Sequence, residues 1–257
     1  LEKERPRHIA VAFDEALDSC FRNTLYPAYK ANRESAPEEL KRQFVHCKAL
    51  CVALGLPVLA HQDYEADDLI GSALHAARVH GHRGVIVSAD KDLSQLLAGL
   101  DEQWDFARGQ RWSSAGVKAR HGVEAHQIAD YLALTGDAVD NIPGVPGVGP
   151  KTAAVLLAHF GSLDALLARV DEVAFLRLRG AASVAAKLRE HREQALLWRQ
   201  LTTIALDAPL QDATVFPRGT GDAAHLLALC ESLRFGPLTR RRLHAAGGVQ
   251  TADTFAG

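Results

Sequence analysis

The chain reads as two halves in series: an α/β half built on a parallel sheet, residues 1–122, then an all-α half, residues 123–257. Short apolar runs recur at residues 8–13, 57–59 and 84–88, each the length of a buried strand. Stretches of helical length separate them, the pattern of right-handed βαβ units. From about residue 123 such runs stop, and helical segments broken by Gly and Pro follow.

The elements follow in order. The first run ends at Asp14. Residues 37–54 open on Pro37-Glu38-Glu39, carry apolar residues at helical spacing and stop at Gly55. The second strand precedes a helix over residues 65–80 that ends at Gly81. The third strand, 84–88, leads into another helix. Residues 103–106 and 111–112 then read as a hairpin around Gly109, with Trp104 and Trp112 as packing residues. A helix over 125–135 begins the second half. Gly147-Val148-Gly149 followed by Pro150 predicts a tight turn feeding a helix from Thr152 to Phe160. That helix stops at Gly161, and Ser162 caps the next.

Composition excludes some classes. Of 257 residues, 47% are hydrophobic, enough for a sizeable core. No apolar run reaches the roughly 18 residues of a spanning helix, so no membrane partner is expected. Leu1-Glu2-Lys3-Glu4-Arg5 has no signal-peptide pattern behind it. Cys20, Cys47, Cys51 and Cys230 match no zinc spacing, and Cys47 and Cys51 read as small core residues in a reducing cytoplasm. No Met occurs, which suggests a chain that begins inside a longer gene product.

The acids carry the chemistry. Open α/β sheets place their sites past the carboxyl ends of the strands. Asp14 follows the first strand, Glu65-Ala66-Asp67-Asp68 the second, and Asp90-Lys91-Asp92 the third. Asp137 and Asp140 form a fourth cluster after the helix 125–135. Any one cluster reads equally well as helix capping. Together they would repel unless cations sat among them. Oxygen ligands without His or Cys suit Mg²⁺ or Mn²⁺. Two such ions stabilise the attacking and leaving oxygens of phosphoryl transfer. The net charge is −2, but setting these eight acids aside leaves 23 against 29 Lys and Arg, a surface suited to a polyanion. At the glycine turn, Gly147, Val148, Gly149, Lys151 and Thr152 offer free amides and an ammonium that hold a phosphate without reading a base. The plainer reading is an ordinary helix–turn–helix packing element.

In this order the motifs resemble the flap-endonuclease superfamily, most closely the 5′→3′ exonuclease domain of bacterial DNA polymerase I and its stand-alone relatives. The strings are Glu65-Ala66-Asp67-Asp68, Ser88-Ala89-Asp90-Lys91-Asp92, Leu134-Thr135-Gly136-Asp137-Ala138-Val139-Asp140-Asn141 and Gly147-Val148-Gly149-Pro150-Lys151-Thr152. The resemblance spans residues 8–240. It implies a PIN-like core and a helix–three-turn–helix that binds duplex DNA. It also implies two divalent ions on Asp14, Glu65, Asp67, Asp68, Asp90, Asp92, Asp137 and Asp140. A K⁺ ion at the backbone of Val145 and Val148 is implied as well. Lys30 would then touch the scissile phosphate, with Arg22 and Arg33 supporting. The family's first strand, which ends in a further ligand Asp, precedes residues 8–13, and this chain starts too late to contain it.

The expected function is structure-specific hydrolysis of 5′-ended or branched DNA by a stand-alone, monomeric nuclease. Its expected place is the bacterial cytoplasm, associated with the nucleoid. Two other readings stay open: a DNA-structure-binding module without catalysis, and a PIN-type ribonuclease, against which the glycine turn argues.

Overall fold

The protein is described from a computed structural model that covers residues 1–15, 19–210 and 215–249. Residues 250–257, which the expected helical half includes, lie outside the described residues.

Strand β1, Val11–Ala12, leads to the short helix α1, Phe21–Leu25, and to α2, Glu38–Ala53. Gly55 ends α2 at φ 72°, in the left-handed region that glycine adopts without strain. Strand β2, Val58–Leu59, runs parallel to β1 with Val11 opposite Val58. Helix α3, Ala66–Val79, crosses to β3, Val85–Val87. In place of the full helix expected after β3 stands a 3₁₀ turn, Asp92–Leu96. Strand β4, Glu102–Asp105, is parallel to β3, and β5, Gln110–Ser113, returns antiparallel to β4 as the expected hairpin. Helix α4, Ser114–His121, closes the first half.

One continuous parallel sheet was expected. The described strands instead form two sheets, β1-β2 and β3-β4-β5. Helix α3 serves both: Leu69 and Ala73 pack with Leu59, and Leu74 joins the cluster that holds Ile86. The amide of Ser88 and the carbonyl of Gly84 are used by β4, so Val85 and Val87 turn their backbone groups to the other side. That edge of β3 pairs with no described strand, and Val87 is 60% exposed.

The second half is helical, as expected: α5, Ile128–Thr135; α6, Pro150–Phe160; α7, Leu163–Ala168; α8, Ala181–Glu190; α9, Arg192–Thr202; α10, Ala223–Ser232; α11, Pro237–Gly247. Pro150 takes the first position of α6, and the Ser162 hydroxyl accepts from the Ala165 amide at 3.2 Å to cap α7. One core unites the halves: Ile86 and Leu93 of the first belong to the same cluster as Leu134, Leu156 and Leu201 of the second. Helices α10 and α11 return to the first half, where Leu226 is fully buried with Ala53 and Leu54. No described helix is long and apolar enough to cross a membrane. Cys47 is exposed and so is not the core residue expected of it, while Cys51 is half-buried and packs against the cluster of Ala53, Leu54 and Leu226; Cys20 and Cys230 are buried.

Candidate metal centre and nucleic-acid interface

The cleft forms where three connections meet. The loop after β3 carries Asp90 and Asp92. Buried Gln103 of β4 anchors it by donating to the carbonyls of Ser88, at 3.1 Å, and Asp90, at 2.5 Å. Gln103 accepts in turn from Ser94, which accepts from the Trp112 indole. The first turn of α3 supplies Glu65, Asp67 and Asp68. The loop after α5 supplies Asp137 and Asp140, and its shape depends on glycine. Gly136 has φ 78°, and a Cβ there would stand 2.6 Å from the Ile142 carbonyl oxygen. The Asp137 and Ile142 backbones exchange two hydrogen bonds of 2.8 Å. Residues 28–33 dock on this loop through the Lys30 backbone amide to the Asp140 carbonyl, 3.0 Å, and the Asn32 side-chain amide to the Ala138 carbonyl, 2.9 Å. Lys30 itself sits at φ 55°, a left-handed position that costs a non-glycine residue about 1–2 kcal/mol and is held where the surrounding structure fixes it.

Six of the eight singled-out carboxylates line this cleft: Glu65, Asp67, Asp90, Asp92, Asp137 and Asp140, together with Tyr29, Lys30, Arg33 and Lys91. Two do not share it. Asp14 follows β1, but it is exposed and absent from the lining. Strand β1 is paired on one side, and its last sheet bond is from the Phe13 amide to Leu59. Asp68 is fully buried behind the cleft with its oxygens already occupied. It accepts both terminal nitrogens of Arg22 at 2.7 Å, the Glu65 amide at 3.1 Å and the Ala205 amide at 2.8 Å.

Arg22 corrects a second expectation. It lines the back of the cleft, but its donors go to Asp68, to the Leu201 carbonyl and to the Thr203 carbonyl, both at 2.8 Å, so none is free for a substrate. Cys20, Glu65 and Asp68 are a group of ligand types lying within 4.8 Å of one another, and the Arg22 guanidinium is the cation among them.

The front of the cleft differs. Burial pushes the Asp67 carboxyl up to about 7, with Asp90 and Glu65 adding repulsion and Lys30 opposing it. Burial likewise raises Asp92 to about 6; Lys91 opposes, while Asp90 and Asp137 add. Asp92 Oδ1 is buried and lies 3.1 Å from the Lys91 ammonium. For Asp137, burial works upward but loses to Lys91 and to the Val139 and Asp140 amides, so its carboxyl is held below the usual range. Crowded, under-neutralised carboxylates fit a hard divalent cation.

Two partners were not singled out from sequence. The Tyr29 hydroxyl reaches Glu65 at 3.0 Å and Asp140 at 3.2 Å. Lys91 reaches Asp137 at 2.5 Å and Asp92 at 3.1 Å. The signal for Lys91 was present, since it stands between two of the acids. Lys30 pairs with Glu65, and Arg33 with Asp140 at 2.6 Å.

The glycine turn lies beyond α5. Val145 and Val148 bury their side chains, and the Val148 amide closes the turn on the Val145 carbonyl at 3.0 Å. Gly147, Gly149 and Lys151 are exposed and Thr152 half-buried at the start of α6.

An α/β layer with an acidic cleft at its strand ends is thus joined to a helical half that carries an exposed glycine turn. The chain belongs to the 5′-3′ exonuclease family: its N-terminal resolvase-like domain model matches residues 1–122 and its C-terminal SAM-fold model residues 123–222. The chain is 43% identical over 239 residues to DNA polymerase I of Pseudomonas aeruginosa, covering 91% of this chain and 26% of that protein. It is 37% identical over 263 residues to DNA polymerase I of Mycobacterium tuberculosis, covering 99% and 28%. The chain thus spans about a quarter of the length of these relatives. In fold it is similar to a bacteriophage T5 flap endonuclease solved with DNA and metal ions: TM-score 0.66, 21% identity, 95% of this chain and 84% of that one. The Rad2 catalytic core with a DNA substrate is similar at TM-score 0.60, 15% identity, 92% and 77%.

Proposed function

We propose that the chain hydrolyses phosphodiester bonds in 5′-ended or branched DNA with two divalent ions, Mg²⁺ or Mn²⁺. The observation that carries this reading is the convergence of six acids from three separate stretches on one cleft. Glu65, Asp67, Asp90, Asp92, Asp137 and Asp140 would hold the ions. The ions, when bound, supply water activation and charge stabilisation at the phosphate. Lys30, at the cleft, stabilises charge that develops on the phosphate, and Arg33 holds Asp140 at the rim. Tyr29 orients Glu65 and Asp140 toward each other. Asp68 and Arg22 act behind the cleft as a positioning pair.

Gly147, Val148, Gly149, Lys151 and Thr152 grip the duplex by its backbone, which gives specificity for DNA structure rather than sequence. A K⁺ ion at the carbonyls of Val145 and Val148 belongs to this reading. So do a monomeric state and a place beside the nucleoid in a bacterial cytoplasm. The split sheet favours one alternative: if the unpaired edge of β3 loosens the strand ends, the chain binds branched DNA without cutting it.

The test is cleavage of a 5′-flap duplex with Mg²⁺. Asp90→Ala is expected to lower the rate by about a thousandfold, as expected when charge stabilisation at the reacting group is lost, and to leave DNA affinity in place. Full cleavage by Asp90→Ala would reject the site. Binding without cleavage by the unaltered chain would leave the binding-module reading.

A further inference from the structure

Lys91 stands between two acids that reach the cleft from separate connections. Its Nζ is 2.5 Å from Asp137 Oδ2 and 3.1 Å from Asp92 Oδ1. Asp92 comes from the loop after β3 and Asp137 from the loop after α5. An ammonium in contact with both occupies the position that an ion shared by both would need. Two cations cannot share it, because their repulsion in a partly buried site is strong. The segments that carry the two acids have fixed supports of their own. The loop after β3 is tied down by Gln103, and Asp137 accepts the Val139 amide at 2.8 Å. Lys91 does not: its side chain is 47% exposed, on a flexible four-carbon stem that swings at little cost. Lys118 offers the contrast, an exposed lysine paired with Glu124 away from the cleft.

We propose that Lys91 is a tethered place-holder, which neutralises Asp92 and Asp137 in the ion-free protein and leaves when a divalent cation enters on that side. The cleft then stays assembled without metal, and part of the ion's affinity is spent on displacing the ammonium. The inference rests on reading the cleft as a metal site.

The test uses the whole chain and Mn²⁺ alone, at pH 8 and fixed ionic strength, with free Mn²⁺ counted by electron paramagnetic resonance. Lys91→Gln is expected to bind its weakest Mn²⁺ about tenfold more tightly than the unaltered chain, the scale of one partly buried ion pair. Lys118→Gln and the charge-keeping Lys91→Arg are expected to stay at the original affinity. Equal or weaker binding by Lys91→Gln overturns the proposal. A second measurement needs no variant: reductive methylation of the unaltered chain, read by mass spectrometry, is expected to label Lys91 several-fold faster with Mg²⁺ than without. Unchanged or slower labelling overturns the proposal even if Lys91→Gln fails to fold. An unaltered chain that takes up no Mn²⁺ would sink the metal reading itself, and the place-holder with it.

Discussion

Asp67 and Asp68 are neighbours in one motif, about 100° apart around the first turn of α3, and they meet opposite surroundings. Asp68 faces backward into the core, where four hydrogen bonds from Arg22, Glu65 and Ala205 satisfy it. Asp67 faces forward, accepts no hydrogen bond among the described residues, and is pushed up to about 7 by burial and by Asp90 and Glu65. The back of the cluster is closed on a built-in cation, and the front is short of positive charge. A run of acids is therefore not a list of ligands. One member holds the other in place.

The largest effect should come from opening the back. Removing one partner of a buried ion pair leaves an uncompensated charge, at a cost of about 3–5 kcal/mol. Arg22→Met should lower the unfolding free energy read from urea titration by that amount, with or without Mg²⁺. If Mg²⁺ restored most of the loss, Arg22 would belong to the front of the site and the contrast would fail.

At the front the sign reverses. Asp67 binds its proton more tightly folded, near 7, than in the unfolded chain, near 3.8. Between those values the folded state holds a proton that the unfolded state has shed, so metal-free stability falls as pH rises from about 4 to 7. Asp92, raised to about 6, adds to the same slope over a narrower window. Asp67→Asn should remove part of that slope and stabilise the ion-free protein at pH 8 by roughly 1–2 kcal/mol, below full linkage because water reaches the cleft. Thermal melts at pH 5 and pH 8 decide. Saturating Mg²⁺ should stabilise the unaltered chain and largely fail to do so for Asp67→Asn.

The strand-end acids were legible because strand and acid adjoin in sequence: Asp90 stands three residues after Val87, and Glu65 directly precedes α3. The glycine turn was legible for the same reason, since Gly149-Pro150 writes a helix start into adjacent letters. What was not legible joins distant segments. Arg22 meets the Leu201 carbonyl 179 residues away, and Tyr29 meets Asp140 across 111. No local pattern states which of two neighbouring acids a distant arginine will take. The division of the sheet is written in no single strand, because each strand's own apolar pattern is intact and the break lies in what pairs with β1 and β3; only the family resemblance, with its further strand before residues 8–13, pointed to it.

The smallest effect separates rim from cleft. Arg33 pairs with Asp140 at 2.6 Å, but its side chain is 46% exposed, so solvent screens the pair. Arg33→Ala should change stability by no more than about 0.5 kcal/mol. If the guanidinium also meets a DNA phosphate, the loss appears in binding. The slope of log affinity against log salt should then fall by about one, with affinity reduced uniformly across sequences. A stability loss as large as that of Arg22→Met would place Arg33 in the closed back of the cluster. An unchanged salt slope would confine it to holding Asp140, leaving Lys30 as the cation that faces the phosphate.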